Sequence, residues 1–237
     1  MPCITLDIVI KMADIAVESF EKAISLFENY NASVFDEVNE LEGLVDKYED
    51  KISTYLVRVA QQDMSQKDSK VVTELLHCIG DIERISDHAL NIAEAAKEIS
   101  DKNITFSDKA NEDLLVITNA VSEILELSVN ALKNEDVLLA SSVEPLEQVI
   151  DHLKRQIKNG HISRLRQGDC TMELGFVLSD LLTNYERISD HCSNIAVCFI
   201  ETTHESLGSH EYLNQIKSKG DSDFARLFEQ YKEKYNI

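Results

Sequence analysis

Glu83-Arg84-Ile85-Ser86-Asp87-His88 occurs a second time, unchanged, as Glu186-Arg187-Ile188-Ser189-Asp190-His191. After two differing residues Asn91-Ile92-Ala93 returns as Asn194-Ile195-Ala196, at the same shift of 103 residues. An earlier element returns at a shift of 105: Leu41-Glu42, Asp46 and Ile52 reappear as Leu146-Glu147, Asp151 and Ile157. Two elements repeated in order at nearly equal shift mean a duplicated unit, with the two-residue difference taken up in the bend between them. Each copy must therefore take the same shape.

That shape is helical. Seven Gly and two Pro in 237 residues are too few for the frequent turns of a sandwich or barrel. Apolar residues recur at three and four, as in Val34, Val38, Leu41, Val45, Tyr48, Ile52 and Leu56. The pattern predicts a first helix ending near Asn29-Tyr30-Asn31, and a second capped by Ser33 that runs into the low sixties. A polar bend over Gln61 to Ser69 leads to a third helix from Lys70 to Ile99. The stretch Asp101 to Ser107 is weak for helix and marks the boundary between copies. Ser107 caps a fourth helix to about Leu132, Asn134 opens a fifth from Glu135 to about Leu165, and Gly168-Asp169 breaks the chain before a sixth, Thr171 to Thr203. The expectation is all-α: two pseudo-symmetric three-helix bundles, residues 1–103 and 104–205. A helical tail follows over 206–237, with a link at Gly208 and a break at Gly220.

A formal net charge of −20 repels nucleic acid and anionic lipid and favours cations or a basic partner. Five cysteines without a CxxC pair argue against a disulfide framework or a thiolate zinc site. No leader is visible, no stretch approaches the roughly 18 apolar residues of a membrane span, and a reducing cytoplasm is the expected setting.

Residues four apart stand above one another on a helix. Glu42 with Asp46, Glu83 with Asp87, Glu147 with Asp151 and Glu186 with Asp190 are four such acid pairs, placed equivalently in both copies. Like charges at this spacing repel by a few tenths of a kcal/mol per pair. Neighbouring helices that brought two pairs together would build one four-carboxylate patch per copy, and a bound cation would remove the repulsion. An all-oxygen set suits hard cations, iron in either oxidation state, manganese, magnesium or calcium; zinc and nickel come after these. Asp50 extends the first ladder where Arg155 stands in the second, so two such sites need not be equal. His88 and His191 lie about 100° round from the acids and read as packing residues or as supports to a ligand. Asn91 and Asn194 either orient a ligand or tie helices together. Arg84 and Arg187 suggest ion pairs between helices. There is no nucleophile with its base, no phosphate-cradling glycine loop and no dinucleotide fingerprint, so no enzymatic activity is expected. A di-iron carboxylate enzyme would show Glu-x-x-His pairs, and the repeated E-R-I-S-D-H segments contain none.

A helix reading E-R-I-S-D-H-x-x-N-I-A, present twice and partnered by an earlier ExxxD helix, resembles the PhoU family over about residues 8 to 203. The resemblance implies two three-helix bundles that bind iron or similar metals in multinuclear clusters. Its metal motifs fall on Glu42, Asp46, Glu83 and Asp87, and on Glu147, Asp151, Glu186 and Asp190. It implies negative regulation of phosphate uptake through contacts with a phosphate transporter and a phosphate-sensing histidine kinase, and it is compatible with a homo-oligomer. A related architecture appends such a domain to the cytoplasmic end of a sodium/phosphate cotransporter. The opening Met1-Pro2-Cys3-Ile4 and the acidic tail favour that arrangement, at the inner face of the membrane, over a free-standing regulator or a helical interaction module without metal.

Overall fold

The computed structural model describes residues 3–203 and 222–237. Every regular element among them is a helix: α1 (Cys3–Ser25), α2 (Ala32–Ala60), α3 (Gln66–Asp101), α4 (Asp108–Asn134), α5 (Val137–Ser141), α6 (Val143–Gln167), α7 (Met172–Thr203) and α8 (Ser222–Lys234). Helices α1, α2 and α3 pack pairwise into one bundle, and α4, α6 and α7 into its counterpart. The expected link at Gly208 and break at Gly220 lie outside the described residues. Helix α8 docks on α6, and the Tyr235 that follows it hydrogen-bonds Glu123 of α4.

The helix ends follow local capping chemistry, and in three places the expected boundary moves. Asn31, not Ser33, caps α2, its side chain accepting the Ser33 N–H at 2.9 Å. Ser65 starts α3 ahead of Lys70; its hydroxyl accepts the Asp68 N–H at 3.1 Å and donates to the Asp68 carboxylate at 2.7 Å. The first bond satisfies one of the backbone N–H groups that a helix start leaves open, and the second fixes the capping hydroxyl in place. The fifth helix expected from Glu135 is two helices. Asn134 ends α4 rather than opening a helix, Glu135 turns left-handed at φ 52°, and Asp136 caps the short α5 through Leu138 and Leu139. Pro145 accounts for the break between α5 and α6. It has no N–H to give a continuous helix but is tolerated in the first turn of a new one. Ser107 caps α4 and Gly168, at φ 82°, ends α6, both as the residue types dictate.

The buried apolar side chains of the two bundles join in one core. Phe20 of α1 meets Tyr185 of α7 edge-on at 6.3 Å, and the Tyr185 hydroxyl bonds Thr118 of α4 at 2.8 Å. Helix α4 alters one expectation. Over 18 residues its mean hydropathy is 1.3, enough by length and composition for a membrane span, yet half of that window is buried inside the bundle.

Helices α3 and α7 form the most extensive helix pair of the fold. At its centre the rings of His88 and His191 stack at 5.7 Å. His88 Nδ1 lies 2.9 Å from Asn184 Oδ1, and His191 Nδ1 lies 2.8 Å from Asp81 Oδ1. Asp81 and Asn184 are themselves equivalent at the 103-residue shift, so each repeat offers its histidine to the matching acceptor of the other. Asn184 donates its amide to the Asp180 carbonyl, which turns its oxygen toward His88, so the His88 proton sits on Nδ1. Asn194 adds a second donor to Asp81 at 3.2 Å. Replacing Asp81 by Ala strands a buried imidazole N–H, and is expected to lower stability by about 1–3 kcal/mol. Asp81→Asn restores the arrangement found at Asn184 and should lose clearly less. Urea unfolding of the two variants compares them directly, and equal losses would contradict the acceptor role.

Candidate metal centre

Glu42 and Asp46 flank Val45, one of the α2 residues buried against the core, so they stand at the rim of the groove between α2 and α3. Asp87 meets them from α3, next to the buried Ser86. Carboxylate oxygens of Glu42, Asp46 and Asp87 all lie within 4.8 Å of one another. Around a six-coordinate hard cation, adjacent oxygens stand about 3 Å apart and opposite ones about 4–5 Å. The three acids fit that requirement with little movement. Glu83, one turn before Asp87, is outside the tight trio but inside its field.

The electrostatics agree with the geometry. Burial is the main cause that raises the Glu42 carboxyl above its ordinary range, with Asp46 and then Asp87 adding to it. Glu83 is raised by burial, then by Asp87, Asp46 and Glu49, against a smaller opposing pull from Arg84. Asp87 is raised by burial and then by Asp46. Among the described residues no Lys or Arg forms a salt bridge with any of these four acids. The fold holds like charges together with only a small opposing pull, from Arg84 on Glu83 and from His88 and Arg84 on Asp87.

The second repeat differs. Asp151 on α6 acts on Asp190 of α7, but the Lys154 ammonium sits directly on the Glu186 carboxylate. Arg155 lies 4.0 Å from Asp151, and Arg187 lies 3.4 Å from Asp190 on its own helix. Asp190 is still raised, by burial and then by Glu186, while Arg187 pulls it down. Among the described residues the only three-donor group of metal-binding spacing is Glu42, Asp46 and Asp87.

The neighbouring residues resolve differently from the expectations set on them. His88 and His191 face the opposite repeat, not the acids, and burial lowers the His88 pKa. Asn194 ties α7 to α3 through Asp81, and Asn91 is exposed. The interhelical ion pairs expected of the two arginines are corrected: Arg187 pairs within α7, and Arg84 is exposed on α3. Two residues that matter here went unremarked in the motif itself. Glu49 and Lys154 occupy the same position at the 105-residue shift, and extending the repeat alignment by three residues past Asp46 exposes them.

A duplicated three-helix module with acid pairs on the second and third helices of each copy is thus the class of protein that the fold and site define. The PhoU domain model matches residues 9–96 and 114–198. The chain belongs to the PhoU family. It is 27% identical over 211 residues to the phosphate-specific transport system accessory protein PhoU homolog 1 of Thermotoga maritima, covering 88% of this chain and 89% of that one. The PhoU homolog of Aquifex aeolicus is 26% identical over 214 residues, 90% of this chain and 94% of its own length. The crystal structure of PhoU from Pseudomonas aeruginosa shares the fold with a TM-score of 0.77 at 19% identity, covering 84% of this chain and 95% of that chain.

The raised carboxyls carry a sign for stability. A group whose folded pKa exceeds its unfolded value favours the fold below the unfolded value, and that contribution is lost as pH rises through the folded one. For Glu42, Glu83 and Asp87 the window starts at the ordinary values of 4.5 and 3.8 and runs upward. In chelator at neutral pH, Asp87→Asn is therefore expected to stabilise the chain by a few tenths to about 1 kcal/mol, a size limited by solvent screening. Near pH 4.5 the advantage should shrink toward zero. Thermal melts of both proteins across that range give the answer, and a pH-independent difference would speak against carboxylate crowding.

Proposed function

We propose that this chain is an accessory regulator of phosphate transport whose first repeat carries a hard-cation centre. The regulatory part rests on the family and on relatives, matched over nearly their whole length, whose names describe accessory proteins of phosphate transport. That pattern supports a regulator acting on a separate transporter better than the appended cotransporter domain expected from the opening residues and acidic tail. The observation that carries the metal part is the trio Glu42, Asp46 and Asp87, with oxygens within 4.8 Å.

In this reading Glu42 and Asp46 hold the cation from α2 and Asp87 holds it from α3, with Glu83 in reach of its field. A bound cation supplies positive charge that cancels the repulsion of the trio. The chain's own residues do the rest. The α3–α7 seam keeps α3 at a set distance from the second repeat, so α3 cannot drift away when its acids repel those of α2. An oxygen-only donor set favours iron, manganese or magnesium over softer ions. The surface around the filled centre loses negative charge and becomes able to meet an anion or an acidic segment of the transporter, which the bare surface repels.

Elemental analysis of the full chain, purified and then reconstituted with iron(II) or manganese(II), provides the test. Stoichiometric metal in the wild type, lost in Glu42→Ala and Asp87→Ala while the helical circular dichroism is kept, is the expected result. Substoichiometric metal after reconstitution would remove the metal reading. Phosphate uptake by cells lacking the chain tests regulation separately: uptake at high external phosphate should rise, and unchanged uptake would remove the regulatory reading.

A further inference from the structure

The metal reading of the first repeat invites the same reading of the second, and the side chains there do not fit it. At the 105-residue shift Glu42, Asp46, Glu49 and Asp50 correspond to Glu147, Asp151, Lys154 and Arg155. Two acids of the first copy are thus two bases of the second. Counting the α3 and α7 residues too, the first patch sets five mutually interacting acids (Glu42, Asp46, Glu49, Glu83, Asp87) against the pull of Arg84. The second sets four acids (Glu147, Asp151, Glu186, Asp190) against Lys154, Arg155 and Arg187.

Position makes Lys154 the decisive one of the three bases. It lies seven residues after Glu147 and three after Asp151, on the same face of α6. Its side chain is 14% exposed and bridges to Glu186 of α7, itself 26% exposed. Arg155 and Arg187 are 70% and 57% exposed and stay on their own helices. Lys154 therefore joins α6 to α7 where a cation held by Glu42, Asp46 and Asp87 joins α2 to α3. An entering metal ion would have to displace a sheltered ammonium from its carboxylate and then remain beside that displaced positive charge.

We propose that Lys154 is a built-in counter-cation that takes the place of metal in the second repeat, so that the chain carries one metal centre and not two. The proposal rests on the metal reading of the first repeat only for its count of centres. Its consequence is an asymmetric regulator. The first repeat changes charge with metal supply, and the second carries most of its counter-charge permanently in its own sequence.

Manganese(II) binding to the full chain, followed by titration calorimetry and elemental analysis, tests it with four variants. In the wild-type background Asp87→Ala should abolish uptake, and Asp190→Ala should leave it unchanged. Lys154→Glu, which installs the residue type of Glu49, should roughly double the uptake, and Asp190→Ala added to it should remove the gain. Lys154→Met tests the counter-cation without asking for a new site. In chelator its Tm should drop by about 2–4 °C, because the sheltered Glu186 carboxylate loses its ammonium partner. Equal loss of manganese in Asp87→Ala and Asp190→Ala would overturn the proposal, since the second patch would then bind metal with Lys154 in place. No manganese in the wild type at all would remove the reading of the first repeat, yet the chelator melts would still decide the role of Lys154. An unchanged Tm in Lys154→Met would overturn it, and a lowered one would uphold it.

Discussion

The packing of α3 on α7 holds the molecule together, and its centre is polar as well as apolar. Two histidines, His191 buried and His88 half-buried, stack face to face, each donating to an acceptor supplied by the other repeat. A duplicated chain could place its halves in many relative orientations if only apolar stripes met. Donors and acceptors that must find one another permit few. The exchange of equivalent partners, His88 with Asn184 and His191 with Asp81, is what a pseudo-two-fold axis through the stacked rings requires. Apolar contacts such as Phe20 on Tyr185 then extend the joint into one core.

That joint sets the conditions at the acidic rims. Because the inner faces of α3 and α7 are committed to one another, their acids are turned toward α2 and α6. Crowding carboxylates at a half-buried rim opposes folding, and each repeat offsets the opposition in its own way. The first keeps an all-acid cluster with raised carboxyls, an arrangement suited to an exchangeable cation. The second supplies an ammonium from its own chain. The two repeats carry equal patches in outline, and bases at two α6 positions where α2 has acids make them unequal in chemistry.

The helix ends illustrate how far local reading goes. Ser107 and Gly168 were legible because a cap residue and a left-handed glycine act within one turn of sequence. Asn31 competed with Ser33 two residues away, and both are good caps; the structure chose the one whose side chain reaches the Ser33 N–H. Around Glu135 the reading failed, because a non-glycine residue in the left-handed region and a proline two positions into α6 leave a periodic apolar pattern almost undisturbed. The acid pairs were legible for the same reason as the caps: spacing of four on a helix is a local fact. Which oxygens converge was not, and neither was the direction in which His88 and His191 face, since both depend on the helix packed alongside.

The amino-acid sequence alone determined the duplication, the all-helical class, the acid pairs on corresponding helices and the family resemblance. Each of these is carried by periodicity or by motifs that need no partner to be read. The tertiary structure decided what the motifs do in space. It turned the histidines inward to the seam, brought Glu42, Asp46 and Asp87 within 4.8 Å of one another, and set Lys154 on Glu186. The physical reason is range. Helix formation and capping act over a few residues along the chain, whereas charge pairing and hydrogen bonding across helices act over a few ångströms between segments that the sequence holds far apart.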